Sequence, residues 1–547
     1  MTQVVVTGLG AVSPYGAGVA EYWKGLAGGA CAIRDLTLIE TDGFRCRLAA
    51  EVPEPLAGSA RRTRADRLAI AAAGEALADA GLGARDCAAA ALVVGAVGGG
   101  MLEAEAWYWR TARAGVRPAS LSALRAVLPS AHAETLGSRF RLGGPRHTVV
   151  TACSSGAVAL AEASELIAAG VVDVALAGGV DAITRICFMG FNALKLLDTA
   201  PCRPFDRERR GMSIGEGAGF MVLEAEARAR ARGARVYATL AGHGMTTDAF
   251  HVTAPEPEGD GMVRAMRAAL AGGGITPAEV QYANAHGTGT PQNDRIEARA
   301  LARVFGEGGL LVSSSKSMIG HTMAAAGSLE AIATVLALGH DLVPPTANLA
   351  TPDPDVPFDC VPRAARAARL GCAISNSFGF GGQNVTLLFR RRVSRGAVRA
   401  GRGGAGGRGG GGAGRPGRIA TALARVSAHD RGRAARAARV RPRSRRRPRP
   451  RRRHRVRRPR LHARVRRRLP RARPRRAVRA HVPQHGDEHD GRDDGHRGGR
   501  PRAGADPERA DRRRRAGRGA RDGGGGERAR PRRAGGRRRR AGPGGRA

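Results

Sequence analysis

The 547-residue chain changes character near Arg390, and that break limits where a fold can form. After Phe389 there is no Lys, Phe, Tyr, Trp, Asn, Met or Cys, and residues 391–547 hold 55 Arg against 11 acidic side chains. That stretch carries the whole formal charge of +44, which leaves 36 basic and 36 acidic groups before it. With so few large apolar side chains it cannot offset the entropy lost on ordering, so 391–547 is expected to be a low-complexity, disordered basic tail. Its composition fits a basic arm that binds polyanions by counterion release, a solvated linker, or the product of a shifted reading frame in GC-rich DNA. The absence of interleaved aromatics and of any nucleic-acid module favours the frame shift and speaks against nucleic acid as a partner.

Before the break, strand-like runs (Val4–Thr7, Ala91–Val94, Val149–Val150, Val174–Ala177, Phe220–Glu224) alternate with helical segments such as "RADRLAIAAAGEALADAGLG". The apolar residues of that segment recur at helical spacing ahead of a closing glycine. Such alternation implies an α/β domain with largely buried sheets. "VTGLGAVSP" departs from a dinucleotide fingerprint at Ser13 and reads as a tight strand-exit turn. The eight cysteines form no CxxC pair and no metal-ligand rhythm, so reduced thiols in a cytoplasmic protein without a metal site are expected. The opening "MTQVVVTGLGAVSP" lacks a basic n-region, and no apolar run reaches spanning length, so neither a signal peptide nor a membrane partner is expected.

Chemistry concentrates at three residues. In "TVVTACSSGAVALAEASELI" a strand gives way at Cys153 to small residues and then to a helical run, Ala157 to Ile167. A thiol at a helix N-terminus faces unpaired N–H groups and the positive end of the dipole, which favour thiolate and offer an oxyanion site. His286 in "YANAHGTGTPQND" and His321 in "SSSKSMIGHTMAAAG" lie among small residues and hydroxyls just before further helices. "LVSSSKSMIGHTMAAAGSLEAIATVLALG" also echoes the strand–turn–helix around Cys153, so a site between two similar halves is expected. There is no GxSxG and no HxxxH spacing, and a cysteine with two histidines suits acyl transfer.

Six segments in order, "VVVTGLGAVSP", "TACSSG", "CRPFDRERRGMSIGEGAG", "NAHGTGTPQND", "KSMIGHTMAAAGSLE" and "SNSFGFGGQN", resemble the elongating β-ketoacyl-acyl carrier protein synthases. The resemblance implies a thiolase fold, a duplicated five-layered αβαβα architecture with halves at 1–240 and 241–390. It makes Cys153 the acyl-accepting nucleophile, with His286 and His321 promoting malonyl decarboxylation and Lys316 and Glu330 organising the site. Backbone N–H groups of Cys153 and Phe380 would form the oxyanion hole, with Phe380 gating the acyl pocket. Thr288, Thr290, Phe378 and Phe191 would contact substrate. A second histidine where thiolases carry asparagine favours decarboxylative condensation over thiolytic cleavage, and the cysteine argues against the inactive chain-length partner subunits, which lack it. No cofactor is implied, because substrates ride on the phosphopantetheine of an acyl carrier protein. The implied assembly is a homodimer, or a heterodimer with a related synthase subunit, serving fatty acid synthesis or a type II polyketide or polyene pathway. An acidic carrier calls for a local basic patch, and Arg61, Arg62, Arg64, Arg67, Arg207 and Arg209 are the candidates. Gln383 stands where the family more often has threonine.

Overall fold

The computed structural model describes residues 2–54, 59, 62–114 and 122–392. Of the expected tail, everything after Arg392 lies outside the described residues, as does Arg61. Ten main strands form one continuous sheet: β1 (Val4–Ser13), β2 (Ala91–Gly95), β3 (Arg146–Val149), β4 (Val174–Asp181) and β5 (Gly217–Ala225), then β6 (Ala238–Thr247), β7 (Tyr282–Asn284), β8 (Leu311–Ser313), β9 (Cys372–Gly379) and β10 (Gln383–Arg391). Their spatial order is β8-β7-β9-β10-β6-β1-β5-β4-β2-β3. Each set of five therefore repeats one order, edge to centre, and the sets join where β1 pairs antiparallel with β6, Val4 opposite Leu240. The division expected at 240/241 falls inside β6.

Helices supply the other layers of the thiolase fold. The outer face of the first five strands carries α1 (Arg64–Asp79), while α2 (Ser155–Ala168) packs on their inner face. In the second set, α3 (Asp260–Gly273) and α4 (Pro291–Phe305) lie outside and α5 (Ala326–His340) inside. A strand covered on both faces needs apolar side chains throughout, and all ten residues of β1 are buried. Its glycines do not make the expected turn. Gly8 and Gly10 lie in mid-strand, where a Cβ would come within 2.3 Å of Ala76 O and 1.9 Å of Ala72 O. They let the α1 backbone rest directly on the strand. The helix starts at Thr63, whose hydroxyl accepts the Asp66 N–H at 3.0 Å.

The helix from Met323 to His340 is long and apolar enough to cross a membrane, but 89% of that window is buried within the protein. It is a core helix. Its start meets the start of α2 end to end: Gly156 leaves no room for a Cβ beside Ala324 O (2.6 Å), nor Gly327 beside Ala157 N (2.7 Å). That crossing brings together two turns of the same kind. Ala152 (φ 50°) opens the 3-10 turn Ala152–Ser154 before α2, and Met323 (φ 54°) opens Met323–Ala325 before α5. The sequence echo is a structural repeat.

Candidate active site

Cys153 is the middle residue of the first of these turns, and the turn places its thiol over the N-terminus of α2. β3 ends at Val149, one residue short of expectation, and Val150 is exposed. The thiol opens on a cavity of about 280 Å³ whose lining includes His286, His321, Phe378 and Phe380. Burial pushes the thiol up to about 11. The charge of Lys316, the Phe380 N–H and the residue's own N–H pull the other way, while Asp181 adds to the rise. The N-terminal position thus does not yield the resting thiolate the sequence suggests; desolvation outweighs it. Two backbone N–H groups, those of Phe380 and of Cys153 itself, nevertheless reach the sulfur.

His286 follows β7, and its N–H and that of Gly287 donate to the Glu297 carboxylate of α4, both at 2.8 Å. His321 is held by its backbone: its N–H donates to Ser213 O (2.7 Å) and its carbonyl accepts the Gly215 N–H (2.9 Å). The two rings stand 5.5 Å apart, nearly perpendicular. Burial, then the charge of Lys316, pushes both imidazoles well below their ordinary range, so both are neutral at physiological pH. A neutral imidazole carries one N–H, and whichever nitrogen accepts decides which one donates. His321 Nδ1 accepts the Met323 N–H at 3.2 Å, which leaves the proton on Nε2. That Nε2 is buried and finds no hydrogen-bond partner among the described residues. His286 Nδ1 faces the Lys316 ammonium at 3.4 Å, and Lys316 is ion-paired with Glu330. Both rings therefore present an Nε2–H donor, His321's unsatisfied, beside the thiol.

Phe378 packs against His286 with ring centroids 5.8 Å apart, and Phe380 against Phe191 at 5.7 Å. Thr288 and Thr290 line the same cavity, their hydroxyls 2.9 Å apart. Gln383 is not among the lining residues; its Oε1 accepts the Thr247 hydroxyl at 3.3 Å. Two of the basic candidates are corrected by the structure. Arg64 is 3% exposed, its Nε 2.9 Å from the buried Glu216 carboxylate and its guanidinium also on Glu54. Arg209 is 8% exposed and pairs with Asp353, with Asp294 at 3.8 Å. Neither faces solvent, because each neutralises a carboxylate far away in sequence. Arg62 and Arg207 are exposed and Arg67 is partly so. Sequence reasoning missed Glu297, Asp248 and Asn384; the latter two line the cavity, the Asn384 amide donating to Asp248 Oδ1 at 2.6 Å. Among the described residues, no group of three or more His, Cys, Asp and Glu side chains is arranged to hold a metal ion.

A buried thiol and two neutral imidazole donors on a duplicated α/β frame define a class, the thiolase-fold enzymes that join acyl units. Residues 1–229 match the model of the β-ketoacyl synthase N-terminal domain, and residues 237–350 match that of its C-terminal domain. The 3-oxoacyl-[acyl-carrier-protein] synthase 2 of Rhizobium meliloti is 40% identical over 419 residues, covering 72% of this chain and 99% of that protein. The Staphylococcus aureus protein of the same name is 39% identical over 406 residues, covering 71% and 98%. Among solved structures, the ishigamide ketosynthase/chain length factor superposes with TM-score 0.68 at 36% identity, covering 72% of this chain and 100% of that one. A type II polyketide ketosynthase bound to its acyl-carrier protein and a hexaketide gives 0.67 at 31% identity with the same coverage. This chain belongs to the β-ketoacyl synthase family, enzymes that condense acyl units in fatty acid or polyketide biosynthesis.

Proposed function

We propose that this chain is a 3-oxoacyl-[acyl-carrier-protein] synthase that extends an acyl group held on Cys153 with malonyl units held on a carrier. The observation that carries this reading is the unpaired, proton-bearing Nε2 of His321 beside His286 and the thiol. In the first half-reaction the Cys153 thiol gives up its proton as its sulfur attacks the acyl thioester, and the carrier sulfur leaves as thiolate and takes up that proton. In the second, the bond from the malonyl α-carbon to its carboxylate breaks and carbon dioxide departs. The electron pair passes to the thioester oxygen, where two N–H donors meet the enolate charge, each worth about 3–4 kcal/mol in such sites. The enolate carbon then attacks the Cys153 thioester, the oxyanion rests on the Cys153 and Phe380 N–H groups, and Cys153 is expelled as thiolate. Lys316 and Glu330 organise the histidines, Thr288 and Thr290 contact the phosphopantetheine arm, and Phe380 gates an acyl pocket lined by Phe191 and Phe378.

The proposal includes a carrier docking through Arg62, Arg67 and Arg207, a cytoplasmic setting, and a homodimer or a heterodimer with a related subunit. It is tested by separating the half-reactions. In Cys153→Gln the amide imitates the thioester, so the variant should release carbon dioxide from malonyl-carrier without extending any acyl chain. Adding His321→Ala should slow that release about a hundredfold. Continued elongation by Cys153→Gln, or unchanged decarboxylation in the double variant, would overturn the roles. Reversing the charge at Arg62 and Arg207 should raise KM for carrier-bound substrate and spare small thioester mimics.

A further inference from the structure

The repeated turns differ in what occupies them. In the first, Cys153 supplies an N–H to the oxyanion hole, and β9 crosses above it, a Cβ on Gly379 falling 3.0 Å from Thr151 O and 3.4 Å from Cys153 N. Phe380, the next residue, adds the second N–H. In the other turn the residue matching Cys153 is Ala324, and β4 crosses above it, a Cβ on Gly179 falling 2.3 Å from Ala324 O. β4 ends two residues later at Asp181, which is 2% exposed. Asp181 Oδ2 accepts the Ala324 N–H at 2.9 Å, and Oδ1 accepts those of Gly98 (2.7 Å) and Val97 (3.3 Å). A carboxylate thus sits on the N–H that corresponds, by the repeat, to the oxyanion-hole donor of Cys153.

We propose that Asp181 is a positioning residue for His321: its carboxylate fills the anion position of the cysteine-less turn and so holds the Met323 N–H against His321 Nδ1. The inference rests on the reading of His321 as an enolate-stabilising donor. Met323 and Ala324 are consecutive in a turn opened by a strained positive φ, so the bond to the Ala324 N–H fixes the peptide next to the one whose N–H selects the tautomer. If the turn relaxes, the proton is free to move to Nδ1, and Nε2 then points a lone pair at the enolate oxygen. Burial raises the Asp181 carboxyl to about 6 against the three N–H groups that lower it, so it is ionised at neutral pH. The same charge opposes thiolate formation at Cys153. Loss of the carboxylate should therefore slow the second half-reaction without slowing the first.

The test uses the full chain with Asp181→Asn, nearly isosteric, and Asp181→Ala. Acylation of Cys153 by acyl-carrier, followed by intact mass, should be unchanged or faster. Carbon dioxide release from malonyl-carrier in the Cys153→Gln background should fall roughly tenfold or more, as expected for a lost buried hydrogen bond to a charged group. Nitrogen-15 spectra of labelled histidine, with the His321 signal assigned by its loss in His321→Ala, should lose the pure Nε2–H tautomer. Parental decarboxylation with an intact tautomer signal in both Asp181 variants would overturn the proposal. So would an equal fall in both half-reactions, the mark of a merely structural residue. His321→Ala separates the two layers: if it leaves decarboxylation unchanged, the role of His321 is wrong, whatever Asp181 does.

Discussion

At Cys153 two tendencies oppose each other. The turn aims backbone N–H groups at the sulfur and Lys316 adds positive charge, while burial withholds the solvation a thiolate needs; burial prevails, with the thiol near 11. Only about one thiol in ten thousand is ionised at pH 7 with such a value, so reactivity should track pH. The reactive form is the thiolate and the folded pKa lies above the free value, so alkylation by iodoacetamide should rise about tenfold per unit from pH 7 to 9. Lys316→Met removes the largest lowering influence and should slow alkylation at every pH. A rate already flat above pH 7 would show that the thiolate is formed at rest. The residues of this site are legible because each stands in a local motif: Cys153, His286, His321 and Phe380 line one cavity, with Lys316 and Glu330 behind His286. Arg64 and Arg209 are not, because a run of arginines looks the same whether it meets water or a buried carboxylate. Their partners Glu216, Asp353 and Asp294 lie 152, 144 and 85 positions away. Asp181 had no local signal at all; its meaning appears only when the two turns are overlaid.

At the scale of elements, the duplication lets α2 and α5 meet N-terminus to N-terminus, which sets Cys153 and His321 on one cavity. The meeting tolerates no side chain at Gly156 or Gly327. Gly327→Ala would place a methyl 2.8 Å from the Ala157 Cβ and 2.7 Å from Ala157 N, and that backbone cannot step aside. Overpacking of this kind costs about 1–3 kcal/mol, more where backbone is involved. Gly190, in the helix Arg185–Ala193, has nothing within 4 Å of an added Cβ, and its replacement by alanine should be neutral or mildly stabilising. Thermal unfolding of the two variants should therefore diverge, with Gly327→Ala melting lower and losing condensation more than stability alone accounts for. Equal melting temperatures would mean that the helices slide apart at no cost. Periodicity marks parts of the first five strands and α1 but misreads "VTGLGAVSP", since glycine marks a turn and a close backbone approach with the same letter. Only the helix lying on Gly8 and Gly10 tells them apart.

For the whole molecule, the question is which part of the chain the chemistry needs. β10 pairs with β9 on one side and β6 on the other, and among the described residues it is the last strand of the sheet, ending at Arg391. Arg391 then fastens the chain: its Nε donates to Leu338 O at 2.8 Å and its Nη1 to Asp341 Oδ2 at 2.9 Å, at the C-terminus of the core helix α5. A cation placed on the last carbonyls of a helix is favourable for the helix itself. Every residue assigned to the chemistry precedes that point, and residues 1–390 are electrically balanced while 391–547 hold the entire net charge. A chain ending at Arg392 should thus keep its melting temperature and its rate of condensation. It should also lose affinity for heparin or DNA, if the full chain shows any, because that attraction scales with the phosphate contacts its arginines can make. Acidic carriers provide the sharper contrast. If the tail recruits them, truncation should raise KM for carrier-bound substrate and flatten its salt dependence; if docking belongs to Arg62, Arg67 and Arg207, KM and its salt dependence should stay as they are. We expect the second result. An insoluble or inactive chain ending at Arg392, or a KM that climbs only for carrier-bound substrate, would show that the arginine-rich segment contributes to this enzyme.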